Sequence, residues 1–450
     1  MKKRLMGYLC FPLIVVMIFS ACRKGEYALD QSNVVIRDNG SGTGTVTWTN
    51  DRSYMLEGKV FVNDGQVLSI EPGTVIRSRT GQGNASSALI VARGGKIIAK
   101  GSPEAPIIFT SEGDDLEGSV PLLTRGLWGG LVILGNAQLN IEGGEAHVEG
   151  IPLSEPRGLF GGNDDLDDSG ILQYVSIRHG GTNIGEGNEL NGLTLAGVGS
   201  STQIDHVEVV ANADDGIEIF GGTVNLRNII VAYCGDDAID YDMGYRGMGQ
   251  FWLAVQDPAI GDNVVEGDGG VNPVAATPYS IPVVFNTTFI GRGNEIIDHM
   301  LNLSDNAGGI FANSIFIRQG NGIMIEYDPL HDDSYRQFQL GNLQVKNNIY
   351  HNIANGTASG IFKVTAEPGI DIGEEQQIFQ EYFTEAANEV ADPGISTEGI
   401  NFSPFPEGNV YDNLAEYPDP WFDKVNYKGA FGAYDWSEGW SLLSELGLLE

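Results

Sequence analysis

Residues 211–219 read ANADDGIEI, and residues 233–241 read YCGDDAIDY. The two stretches align at an offset of 22 positions, placing Asp214 on Asp236, Asp215 on Asp237, Ile217 on Ile239 and Glu218 on Asp240. Val207 and Ile229 are separated by the same 22. Self-similarity at such an interval marks a chain wound into a solenoid, one coil per repeat. Short β-branched runs support this reading. KVFV at 59–62, VLSI at 67–70, LTLA at 193–196, IEIF at 217–220 and IDYD at 239–242 sit between clusters of glycine, asparagine and aspartate. Each is a strand signal of about four residues flanked by turn formers. No sustained helical period appears before residue 370. Each coil is therefore expected to hold two or three strands, with successive coils pairing in parallel about 4.8 Å apart. A leucine-rich repeat would need regular leucine and a helix in each unit, and a propeller would need longer blades. The expected fold is all-β: a right-handed parallel β-helix with a C-terminal cap containing one short helix.

The ends of the chain read differently. MKKRLMGYLCFPLIVVMIFSAC opens with three basic residues, continues with an apolar run and closes on small residues before Cys22. That is the layout of a secretory leader over residues 1–21. FSAC resembles the lipobox of bacterial lipoproteins, which implies that Cys22 carries the lipid. The expected location is the cell envelope, as an outer-membrane lipoprotein anchored through that lipid alone. Residues 22–45 end in NGSGTGT and read as a tether. Residues 46–360 are assigned to the β-helix and 361–450 to the capping region. Within the latter, EQQIFQEYFTEAANEVA at 375–391 is the helix candidate, with Ile378, Phe379, Tyr382 and Phe383 on one face. The aromatic tail WFDKVNYKGAFGAYDWSEGW at 421–440 reads as part of the cap, with stacking on sugar rings as the alternative. Once the leader and Cys22 are accounted for, Cys234 is the one remaining thiol, and it reads as a small buried residue.

The chain holds 60 acidic against 25 basic residues. This imbalance argues against nucleic acid or an anionic membrane surface as partner. It suits a solvated exterior and the binding of divalent cations. If one coil is 22 residues, the two aspartate pairs stack in neighbouring coils. Carboxylates about 5 Å apart repel by roughly 3 kcal/mol at an effective dielectric near 20. Hydrogen bonds from turn amides, protonation or an intervening cation can relieve this. Asp214, Asp215, Asp236, Asp237, Asp240 and Asp242, with Glu218 beside them, form the candidate cation ladder. Calcium is the expected ion because it takes six to eight oxygen ligands. The loop GGNDDLDDSG at 161–170 partly matches a calcium loop, yet the position where such a loop needs a glutamate is Ser176. It reads as a solvated acidic turn.

Several longer stretches carry a resemblance. VFVNDGQVLSIEPGTVI, ALIVARGGKIIAKGSPEAPIIFTS, GLWGGLVILGNA, ELNGLTLAGVGSSTQIDHVEVVANADDGIEIFGGTVN and YKGAFGAYDWSEGW together resemble a family of secreted or lipid-anchored parallel β-helix proteins abundant in Bacteroidetes-type bacteria. This implies the fold over roughly residues 45–440 and says little of the activity. NAD at 212–214 and GDD at 235–237 also resemble motif fragments of polygalacturonase-type hydrolases, in which paired aspartates act as acid and base. That resemblance implies catalytic roles for Asp214, Asp236 and Asp237, although the downstream glycine-histidine-glycine and arginine-x-lysine elements are missing. IDH at 204–206 faintly resembles a pectate lyase fragment, with Arg227 and Arg246 as candidate bases. The expectation is a surface binding or adhesion module for extended glycans, stabilised by calcium. The alternative is a polysaccharide hydrolase or lyase built on the same acids.

Overall fold

Residues 203–227 trace one complete coil. In a computed structural model, which describes residues 34–185, 188–270, 273–398 and 401–449, the chain runs straight over 203–205 and bends at His206 (φ 54°). It runs straight again over 207–210, turns through 211–216, forms Ile217–Phe220 and turns back into 225–227. Three strand segments per coil give three columns of parallel strands. Val207 pairs with Ile229 and Ile217 with Ile239, so the 22-residue period is the coil. The architecture is the expected right-handed parallel β-helix.

Alternation along each strand sends one set of side chains inward. In the third column the inward positions stack as Leu193, Ile217, Ile239, Val265, Leu301, Ile323 and Phe362, and these residues are buried. The bend between the first and second columns is made repeatedly by residues in the left-handed region. Tyr174, His206, Asn228, Phe251, Asn286, Asn313 and Asn347 all have φ between 52° and 59°. Asparagine is favoured there because its short polar side chain tolerates that conformation.

The structure moves two boundaries. Residues 34–45 are not a tether. Val34–Ile36 pairs in parallel with 54–56, and Asp38 Oδ1 accepts from the Gly40 and Gly42 amides at 2.7 and 3.0 Å. The glycine-rich stretch is therefore a turn of the first coil. At the other end, Phe362–Thr365 still belongs to the third column, so the β-helix continues past residue 360. The leader and Cys22 lie outside the described residues.

The capping helix is Gly373–Glu385, ending earlier than its sequence pattern suggested. Phe379 stacks on Phe362 at 4.7 Å and Phe383 packs on Tyr350 at 5.5 Å, closing the last coil, while Ile378 is exposed. The chain then rejoins the second column at Glu389–Val390.

The aromatic tail does not cap the end. It runs back along the flank, covering the outward side of the second column. Val210, Ala232, Val255, Ile290 and Ile317 are buried there against Phe431, Trp436, Trp440, Leu443 and Leu448. Trp436 and Trp440 are only 7% and 2% exposed, which rules them out as platforms for sugar rings. Corner residues of successive coils hold the tail by its backbone. Gln250 accepts from the Asp423 amide and donates to the Asp423 carbonyl, both at 2.8 Å. Asn286 donates to Tyr427 O at 2.8 Å, and Asn347 to Asn413 O at 2.8 Å. Asn313 both donates to Ala415 O at 3.0 Å and accepts from its amide at 2.7 Å. Replacing Asn313 by glycine keeps the left-handed φ and removes both bonds. Urea unfolding of Asn313→Gly is expected to show a loss of about 1–3 kcal/mol.

Candidate functional site

The acidic repeat occupies the turn between the second and third columns and continues onto the outward side of the third. Gly235 lets these turns stack closely, since a Cβ there would lie 2.2 Å from Ala213 O. The Asp237 amide donates to Asp215 Oδ1 at 2.9 Å, which fixes one turn on the next. One oxygen each of Asp214, Asp215 and Asp236 lies within 4.8 Å of the others, and the same holds for Asp215, Glu218 and Asp240. The structure thus brings together five of the six predicted ladder aspartates plus Glu218. Asp242 stands apart from these groups, facing Asp268 and Asp305 from a neighbouring stripe.

The ladder is longer than its first two rungs. Asp240 pairs with Glu266, and Glu266 with Asn302. The Asp262 amide donates to Asp236 O at 3.3 Å, and Asp236, Asp237 and Asp262 form a third group within 4.8 Å. Asp298 follows, touching Asp262. Sequence reasoning missed Asp262, Glu266, Asp268 and Asp298 because the period changes. Rungs that are 22 apart give way to pairs separated by 26 and 36 residues. Aligning DDGIEIF, DDAIDYD, DNVVEGD and DHMLNLS at 214, 236, 262 and 298 would have exposed them.

Burial dominates the electrostatics. It pushes the Asp214 carboxyl up to about 8, with Glu189, Asp236 and Glu149 adding repulsion. It raises Asp242 to about 7 and Asp262 to about 6, the latter with help from Asp298 and Asp236. Burial drives Asp215, Glu218, Asp237 and Asp240 well above the ordinary carboxylate range, with repulsion from Asp240 on Asp215, from Glu149 on Glu218, from Asp215 on Asp237, and from Asp268, Glu266 and Asp242 on Asp240. Asp237 is 3% exposed, and its Oδ1 has no hydrogen-bond partner. Arg125 is committed to Asp257 and Tyr233 O, and Arg292 binds only the far end of the ladder, pairing with Asp298 and Gly261 O. A buried, mutually repelling set of carboxylates must either hold protons or surround a cation.

A family described as a pectate-lyase like beta helix domain matches residues 40–395. The chain belongs to this family. Searches of curated proteins and of solved structures return no match. Membership accounts for the coil architecture, whereas the site has to be argued from its own side chains.

The other motifs in this pectate-lyase-like chain resolve as follows. His206 packs on Tyr174 with ring centroids 4.4 Å apart and meets Trp440 edge-on at 5.7 Å, on the flank beneath the tail. Arg227 lies over the Trp421 ring at 4.4 Å, and Arg246 is held by Asp165 at 2.6 Å. Neither arginine is positioned as a base for the ladder. In the 161–170 loop, Asp165 also accepts from Gln138 N at 3.1 Å, Asp167 from Ser169 Oγ at 3.0 Å, and Asp168 pairs with Lys96 at 2.6 Å. These acids brace the loop. Cys234 is buried, and burial pushes its thiol up to about 12, so it is unreactive packing.

Proposed function

We propose that the chain is an exported, lipid-anchored surface module that binds extended glycans through calcium ions held on the acidic ladder. The observation that carries this reading is the stacking of Asp214, Asp215, Asp236, Asp237 and Asp262 in three-oxygen groups, with both neighbouring arginines already paired. The outward stripe runs Glu218, Asp240, Glu266, Asn302, Met324, Lys363. At about 4.8 Å per rung it offers a straight face of roughly 24 Å, a shape suited to a polymer lying along the helix axis. A calcium ion with protein ligands on one side keeps coordination positions for hydroxyl or carboxylate oxygens of a sugar. The family match fits either a polysaccharide-binding or a polysaccharide-degrading role.

Retention of the mature protein on immobilised polysaccharides tests the reading. Binding to at least one glycan is expected with calcium, together with its loss in EGTA and in the double variant Asp236→Asn/Asp237→Asn. A protein that passes every matrix unretained, with calcium present, is not such a module.

The second reading is a glycan-cleaving enzyme using Asp214, Asp236 and Asp237. It is favoured by the carboxyl of Asp214, which holds a proton near neutral pH as a general acid must. Against it, one cause raises all these carboxyls together, whereas an acid and base pair needs environments that separate them. Reducing ends or unsaturated products released from any of the same polysaccharides would establish the enzyme instead.

A further inference from the structure

Between the third-column strand Leu131–Leu134 and the first-column strand that starts at Gly170, residues 137–168 form a long loop that lies against the outward side of the upper third column. Leu139, Val148, Ile151 and Phe160 pack there on Val132, Leu134, Ala196 and Phe220. The loop meets the ladder through Glu149. Glu149 Oε1 accepts from Asn191 Nδ2 at 3.1 Å, and the same Nδ2 donates to Glu218. The Glu149 and Glu218 carboxyls also contact each other directly. Glu218 in turn belongs to the group with Asp215 and Asp240, whose ligand oxygens lie within 4.8 Å of one another.

Two carboxyls, one from the loop and one from a coil, thus share one neutral amide, and Asp215 and Asp240 lie beside the second of them. Asn191 is 1% exposed, and its Oδ1 has no hydrogen-bond partner, nor has Asp240 Oδ1. An orphaned amide oxygen buried in this carboxyl-rich cluster is a costly arrangement as it stands. A half-turn of the Asn191 amide exchanges its oxygen and nitrogen and turns that oxygen toward Glu149 and Glu218. The result is a set of five oxygen donors with no nitrogen or sulfur, which selects a hard cation. Calcium–oxygen bonds of about 2.3–2.6 Å put opposite ligands roughly 4.6–5.2 Å apart. Oxygens of Asp215, Glu218 and Asp240 that lie within 4.8 Å of one another are close enough to share one such ion, with Glu149 joining from the loop and Asn191 from the preceding coil.

We propose that Glu149, Asn191, Asp215, Glu218 and Asp240 form a divalent-cation site of calcium's size that clasps the 137–168 loop onto the wall of the β-helix. Four of the ligands sit on the coils, and Glu149 alone comes from the loop. The ion therefore couples the loop's docking to metal occupancy and builds one end wall of the open face. This role is structural, and it holds whether or not the face binds a glycan.

Hydrogen exchange of the EDTA-stripped protein, measured with and without calcium, tests the clasp. Calcium is expected to slow amide exchange across residues 141–160 by tenfold or more. In Glu149→Gln the coil-wall ligands remain, so calcium is expected still to bind, about tenfold more weakly, with no slowing in the loop. Calcium that binds the wild type and leaves loop exchange unchanged would overturn the proposal. So would a Glu149→Gln protein that keeps the full slowing, or a wild type that takes up no calcium. Slowing in a protein that retains no glycan would uphold the clasp and sink the binding-module reading alone.

Discussion

The cation-free protein is expected to lose stability as pH rises from about 5 to 8, and calcium is expected to cancel that loss. Burial sets the sign. It raises Asp214 to about 8, Asp242 to about 7 and Asp262 to about 6, all above the ordinary 3.8. A carboxyl that holds its proton more tightly when folded contributes stability that is fully present below the unfolded value. That contribution fades as pH climbs through the folded one. Ordinary surface carboxylates have largely titrated by pH 5, and the buried His179 and His299, whose pKa values burial lowers, act with the opposite sign, so a net fall across 5 to 8 must come from carboxyls of this buried kind. Every tenfold gain in proton affinity on folding corresponds to about 1.4 kcal/mol, so Asp214 alone brings on the order of several kcal/mol. In EGTA the melting temperature should fall by roughly 5–10 °C across this window. Saturating calcium replaces the protons as counter-charge and should restore the midpoint at pH 8. A profile in EGTA that stays flat from pH 5 to 8 would show that the carboxyls are not forced together in solution.

Deleting residues 403–450 is expected to leave no soluble folded monomer. The tail covers Val210, Ala232, Tyr233, Leu253, Val255, Ile290, Ile315 and Ile317, all 5% exposed or less. Burying each larger apolar side chain contributes about 1.5–3 kcal/mol. Uncovering this stripe would therefore forfeit more than a domain's usual net stability of about 5–15 kcal/mol. The strip would also lie open along many coils, a surface prone to self-association. A milder variant grades the effect. Trp440→Ala removes a ring packed on His206 and Tyr174 and is expected to cost about 3–5 kcal/mol in a denaturant titration. A truncated chain that elutes as a monomer with native circular dichroism would refute this view of the tail.

How much could be read from the amino acids alone depended on whether the signal was local. The two rungs at 214–218 and 236–240 follow one another without an insertion, so the period showed itself and with it the stacking of Asp214 on Asp236. The strands Lys59–Val62, Leu193–Ala196, Ile217–Phe220 and Ile239–Asp242 lie where their apolar runs placed them. Beyond Asp242, insertions lengthen the coil, and Glu266 and Asp298 dropped out of register with the simple repeat. The helix was legible because Phe379 and Phe383 recur at helical spacing, while its end at Glu385 depended on the chain returning to pair with Ile349 and Tyr350.

The path of the tail was not legible in the tail itself. Its clue lay some two hundred residues upstream, in IIVA at 229–232 and FWLAV at 251–255. These runs are apolar at outward as well as inward positions, the pattern of strands covered on both faces. Glu149 and Asn191 could not be associated with the ladder from spacing, because a loop and a turn from different coils bring them to Glu218. The tether reading failed for a related reason. NGSGTGT has a linker's composition, but Asp38 and Gln66 bind its amides and make it a turn.

Titration calorimetry with calcium, on EDTA-stripped protein at neutral pH and physiological ionic strength, bears most directly on the ladder. Saturable binding is predicted, with a heat that changes with the buffer because the ion displaces protons from Asp214 and its neighbours. That binding should weaken sharply in Asp215→Asn/Asp237→Asn. A titration with no saturable heat in the folded wild type would contradict the account.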